Sequence, residues 1–140
     1  MSDKKRQSLI GGIIGTAAMT LITLMAPLMG FPKMSPPDML AGMLRLPIFA
    51  GWLMHFMIGV IFALAYIFLL QKKLQKISNR YVKGTVFGII VFVFAQVMML
   101  LMGAMFTSMP SPAGSLALMV LGSAIGHVVY GITVVLFSKD

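Results

Sequence analysis

The sequence predicts an all-α membrane protein, a four-transmembrane-helix up-down bundle. Three observations predict it. Four apolar runs, at about 8–31, 47–70, 84–106 and 115–137, are each long enough for one helix to cross the hydrocarbon. The three carboxylates, Asp3, Asp38 and Asp140, all fall outside them. The cations also collect in the tails and short loops, although the chain carries a net charge of +8. With 59% hydrophobic residues in 140, a water-soluble fold of this size would leave too much apolar surface wet. The runs are too continuous for barrel strands, so helices remain. They fill residues 1–140 as a single transmembrane domain with no soluble partner domain.

The first run follows "KKR", as a signal peptide would. It extends from Leu9 to Phe31, longer than a signal core, and no small-x-small cleavage site follows it, so it reads as a retained helix. The loop after it, "FPKMSPPDML", offers Ser35 as N-cap and Pro36 as first helical residue. A short interfacial helix over about 36–44 follows, with Met39, Leu40, Met43 and Leu44 on one face. The second run, "GWLMHFMIGVIFALAYIFLL", holds His55 among apolar residues. The next loop, "QKKLQKISNRYVKG", reads as a solvated segment near lipid headgroups. The third run holds Gln96, and the loop "TSMPSPAGSL" repeats the capping pattern with Ser111 and Pro112. The fourth, "LGSAIGHVVYGITVVLF", holds His127.

Lys4, Lys5, Arg6, Lys72, Lys73, Lys76, Arg80, Lys83 and Lys139 flank one side of the bundle, and Lys33 and Arg45 the other. By the positive-inside rule both termini are cytoplasmic. Positive charge placed this way marks membrane topology and gives no nucleic-acid partner. The absence of cysteine excludes disulfides, thiolate metal sites, iron–sulfur clusters and covalently attached haem.

The halves carry a parallel repeat of a helical hairpin. An offset of 72 lays His55 on His127, Gly59 on Gly131 and Gly12 on Gly84. At an offset of 73, "LMG" at 28–30 meets "LMG" at 101–103. Helices in lipid pack through small residues spaced three and four apart. Such stripes run through Gly12, Thr16, Thr20 and Thr23; through Gly51, His55, Gly59 and Ala63; and through Gly84, Gly88, Ala95 and Gln96. The fourth run has Ser123, His127 and Gly131, with Gly122 and Gly126 beside them. Thr20, Gln96, His127 and His55 fall near the mid-plane, which predicts a polar layer inside the bundle.

An ionisable group inside a membrane normally faces the bundle interior and is a functional candidate. His55 and His127 are the ligand candidates, with Thr20, Gln96 and Tyr130 as donors beside them. Three readings stay open. In the first, the layer is interhelical hydrogen bonding in an accessory subunit or binding module of a larger membrane complex, or in a homo-oligomer. In the second, the two imidazoles bind haem b as axial ligands. Spans two and four are diagonal in an up-down bundle, their axes roughly 13 Å apart, with small residues four before and after each histidine. In the third, methionines bind Cu(I), a soft ion suited to thioethers. Met98, Met102, Met105 and Met109 lie on one helical face, mirrored by Met25 and Met29. No carboxylate pair, thiol or phosphate-binding loop supports catalysis, so no enzyme activity is expected.

"GTAAMTLITLMAP", "HFMIGVIFALAY" and "GHVVYG" resemble a group of small, uncharacterised four-helix membrane proteins of bacteria and archaea. The shared positions are Gly15-Thr16, Met19-Thr20, His55 with Gly59, and Gly126-His127 with Tyr130-Gly131. The resemblance implies a four-helix fold in a prokaryotic cytoplasmic (inner) membrane, and no activity.

Overall fold

A computed structural model describes residues 3–106 and 114–139. Helix α1 (Asp3–Met25) runs on into a 3-10 turn, Ala26–Met29. Pro27 sits in that turn, where helical backbone bonding has already lapsed. Gly30 then takes φ +84° and donates its N–H to the Pro27 carbonyl, and the chain reverses.

Helix α2 (Pro36–Leu44) starts at the expected place behind an extended Ser35, but no side-chain hydrogen bond caps it. It ends with Arg45 at φ 54°, where Leu46 N–H bonds the Ala41 carbonyl at 2.8 Å. This hydrogen-bonded stop offsets a left-handed backbone that costs a non-glycine residue about 1 kcal/mol. The buried face differs from the expected one. Pro37, Ala41 and Met43 are buried, and α2 packs on α3 instead of resting only on the lipid interface. The cause is Gly51, whose missing side chain admits the Pro37 carbonyl and the Ala41 methyl.

Helix α3 (Ile48–Ala65) follows Pro47 and closes with a π-helical turn, Tyr66–Leu70. Its buried residues are Gly51, His55, Gly59 and Ala63, spaced four apart. Helix α4 (Arg80–Met105) begins four residues before the expected span. Asn79 caps it by accepting Tyr81 N–H at 2.9 Å. Arg80 and Lys83 therefore belong to a helix and not to a solvated loop, and Lys83 is buried. Helix α5 (Leu116–Phe137) is capped by Ser115; the capping pair Ser111–Pro112 lies outside the described residues.

Four helical stretches, Asp3–Met29, Ile48–Leu70, Arg80–Met105 and Leu116–Phe137, are long and apolar enough to cross a membrane. Their outward side chains are large and apolar, Leu28, Phe49 and Leu100 among them. Helix α1 lies between α3 and α5, and α4 packs on α5. The up-down square is completed by aromatic pairs, Tyr66 with Phe87 at 4.8 Å and Phe62 with Phe94 at 5.3 Å.

The repeat reappears as geometry. At the α1–α3 crossing a Cβ on Gly12 would meet Val60 Cα and the Gly59 carbonyl. At the α4–α5 crossing a Cβ on Gly84 would meet Ile132 Cα and the Gly131 carbonyl. These are the same positions displaced by 72. Gly59 faces Thr16 and Gly131 faces Gly88, again 72 apart. Each hairpin thus brings two backbones together where a side chain would separate them.

At the end carrying both chain termini, Arg80 closes the bundle. Its guanidinium donates to the carbonyls of Val135 (2.6 Å), Leu136 (3.1 Å) and Ser138. These carbonyls lie at the C-terminal end of α5, where Val135 also accepts from Ser138, and a cation there meets the negative end of the helix dipole. Gln71 donates to the Lys139 carbonyl, and Lys139 N–H donates to Gln7, so all four spans are tied at this end.

Candidate functional site

Both histidines sit at one depth. His55 approaches Thr20 of α1, while Met19 and Thr23 bracket Gly126, the neighbour of His127. His55 is buried, and His127 is half-buried between α4 and α5.

Their hydrogen bonds assign the ring protons. Thr20 Oγ1 donates its single hydrogen to the Thr16 carbonyl at 2.7 Å. It can therefore only accept from His55 Nε2, 2.9 Å away, which places the His55 proton on Nε2. His127 Nδ1 stands 2.7 Å from its own helix's Ser123 carbonyl, which can only accept. The neutral ring then holds its proton on Nδ1 and its lone pair on Nε2. No hydrogen bond from the described residues reaches that Nε2. Gln96 joins the same group, its amide donating to Ser123 Oγ at 3.5 Å, and Ser123 Oγ is 3.4 Å from His127 Nδ1.

The polar layer is thus two clusters: Thr16, Thr20 and His55 between α1 and α3, and Gln96, Ser123 and His127 between α4 and α5. The repeat explains their difference. Position 92 corresponds to Thr20, and it is a phenylalanine whose ring meets His127 edge-on at 5.9 Å. Without a hydroxyl on the neighbouring helix, His127 turns to its own backbone. Sequence reasoning did not single out Ser123 or Phe92 as partners; the offset of 72 applied to Thr20 was the available signal.

Tyr130 plays another part. Its hydroxyl donates to the Gly59 carbonyl, joining the diagonal helices α5 and α3 across a core of Phe87, Val91 and Val134. It is buried on Gly15 of α1.

The residues do not fit a haem. The small residues flanking the histidines are already covered: Gly51 by α2, Gly59 by Thr16, and Gly131 by Gly84 and Gly88. Thr20 also engages His55 Nε2. The methionines do not converge either. Met25, Met29, Met98 and Met105 are exposed, on the diagonal helix α4 and on α1 with its 3-10 turn, and Met102 is half-buried. Met109 lies outside the described residues. Outward placement is what an adaptable apolar side chain adopts in lipid. Gly122, also a packing candidate, faces Met34 and Phe31 of the loop after α1.

A family model covers residues 2–138. The chain belongs to DUF6789, a family of unknown function. No curated protein and no solved structure matches it. This DUF6789 member is a multi-pass, four-span helical protein, and its uncharacterised family agrees with the resemblance drawn from its motifs.

Proposed function

We propose that this protein is a small, non-catalytic component of a prokaryotic cytoplasmic membrane, an accessory subunit or binding module of a larger membrane assembly. Its mid-membrane His/Gln/Thr layer is the recognition part, and both termini face the cytoplasm. One observation carries the reading: the Ser123 carbonyl holds His127 through Nδ1, and no hydrogen bond from the described residues reaches its Nε2. Within hydrocarbon water does not supply a partner to a polar group, so another polar group must. The basic residues at the terminal end support the orientation.

The test is gentle extraction of the native protein followed by native mass spectrometry. An assembly well above the 15.2 kDa chain, weakened by Gln96→Leu, is expected. A lone chain under every mild condition would refute the accessory role, and a homo-oligomer would assign the partner to a second copy.

A further inference from the structure

At the end carrying both chain termini, a cavity of about 250 Å³ opens between the first turns of α1 and the last residues of α5. Asp3, Arg6, Gln7 and Ile10 line it on one side, and Phe137 and Lys139 on the other. Sites that enclose a whole small molecule run to roughly 300–1,000 Å³, so this one is sized for a headgroup. Its lining is charged where the chain begins and ends, and apolar where Ile10 and Phe137 open the first and fourth hydrophobic runs. The cavity therefore straddles the boundary between water and hydrocarbon, which is the level of phospholipid headgroups.

The polar groups around it are held in place and left unmatched. The Lys139 backbone is fixed on both sides: its N–H donates to Gln7 Oε1 at 3.0 Å, and its carbonyl accepts from Gln71 at 2.6 Å. With Oε1 engaged, Gln7 offers two Nε2 hydrogens that no hydrogen bond among the described residues uses. Among the described residues no ion pair joins Asp3 to Arg6 or Lys139. Two cations against one carboxylate leave the lining with a net charge of +1.

We infer that this cavity binds the headgroup of a singly anionic glycerophospholipid of the phosphatidylglycerol type. The phosphodiester sits on Arg6, Lys139 and the Gln7 amide, and the acyl chains stay in the bilayer beside Ile10 and Phe137. The guanidinium fork matches phosphate oxygens, and the ammonium adds a point charge. Charge balance selects the occupant. One phosphodiester charge neutralises the lining, whereas a zwitterionic headgroup brings no net charge. A phosphate monoester would set its second charge against Asp3. A dissolved phosphodiester has the right charge but nothing to lay on Phe137, whose ring is exposed. The inference goes beyond the accessory reading and needs neither its partner nor its orientation.

The full-length protein, delipidated in a non-ionic detergent, is titrated with dioleoyl phosphatidylglycerol and followed by native mass spectrometry. One lipid should bind with an affinity well above the rest, and dioleoyl phosphatidylethanolamine should bind that site at least tenfold more weakly. Arg6→Gln combined with Lys139→Gln should weaken the first phosphatidylglycerol at least tenfold, since each cation near an anionic headgroup is worth about fivefold. Lys72→Gln combined with Lys73→Gln removes the same charge from exposed loop positions at this end and should change it less than threefold. Soluble glycerophosphoglycerol in tenfold excess should not displace the lipid. Equal affinity for the two lipids overturns the inference with no variant needed, as does the absence of a distinct first site. Equal losses from the two double variants overturn it and leave only diffuse attraction between charges. Displacement by the soluble headgroup overturns the lipid assignment and gives the cavity to a free phosphodiester. None of these outcomes depends on whether the chain co-purifies with a larger assembly.

Discussion

Replacing Gly131 with alanine tests what holds α4 against α5. An added Cβ would lie 2.6 Å from Gly88 Cα, and closer still to the Gly84 carbonyl oxygen and Gly88 nitrogen. All three are backbone atoms, so no side chain can swing aside. Restoring ordinary contact at about 3.5 Å asks the helices to part by about 1 Å. A gap of that size forfeits roughly a quarter to a half of the dispersion attraction across the crossing. Overpacking of this kind costs about 1–3 kcal/mol, and alanine's helical preference over glycine returns about 1 kcal/mol. The backbone origin of the clash puts Gly131→Ala at the upper end, a net loss of about 2 kcal/mol. Gly11→Ala is the matched control: its Cβ would meet Phe137 and Val134 at 3.5–3.6 Å, ordinary contact. It should be neutral or stabilising by up to about 1 kcal/mol. Gly59→Ala should fall between them, because its nearest obstacle is the Thr16 side chain, which can rotate by giving up its hydrogen bond to Gly12. Reversible unfolding in mixed micelles, followed by circular dichroism, ranks the three. Equal stability of Gly131→Ala and Gly11→Ala would refute the backbone crossing as the source of α4–α5 cohesion.

Thr20→Val keeps the shape and removes the acceptor for His55. It should cost about 0.6 kcal/mol, at most about 1.7, and nitrogen NMR should show the His55 proton no longer confined to Nε2. Arg80→Gln removes the charged donor to three carbonyls at the end of α5 and should destabilise by about 2 kcal/mol in the same unfolding assay. Since the chain lacks cysteine, Gln75→Cys and Lys33→Cys report topology without background. An impermeant maleimide added to intact cells should label position 33 and spare position 75 until lysis. Changing Met25, Met29, Met98 and Met105 together to leucine should alter stability by no more than about 0.5 kcal/mol, because these side chains face outward. A larger loss would place them in an interface.

Hydropathy and small-residue spacing are local properties, and what rests on them was legible. The helices of the second and fourth spans lie within a residue of their expected bounds. The third started early because Asn79 outweighed the charges beyond it, Arg80 finding carbonyl acceptors on another helix. The α2 segment was readable as a helix, but the Met39–Leu44 face did not reveal that Gly51 would receive Pro37.

For the site, sequence alone named the two imidazoles and placed them at a common depth, since depth is a count of residues along a helix. Tertiary structure decided which nitrogen each ring leaves open, because that depends on the neighbouring helix. Thr20 answers His55 from α1, while Phe92 offers His127 nothing to bond. It also turned Met25, Met29, Met98 and Met105 outward and covered Gly51, Gly59 and Gly131 with neighbouring helices. Rotation of a helix about its axis is set by all its neighbours together, and no single segment encodes it.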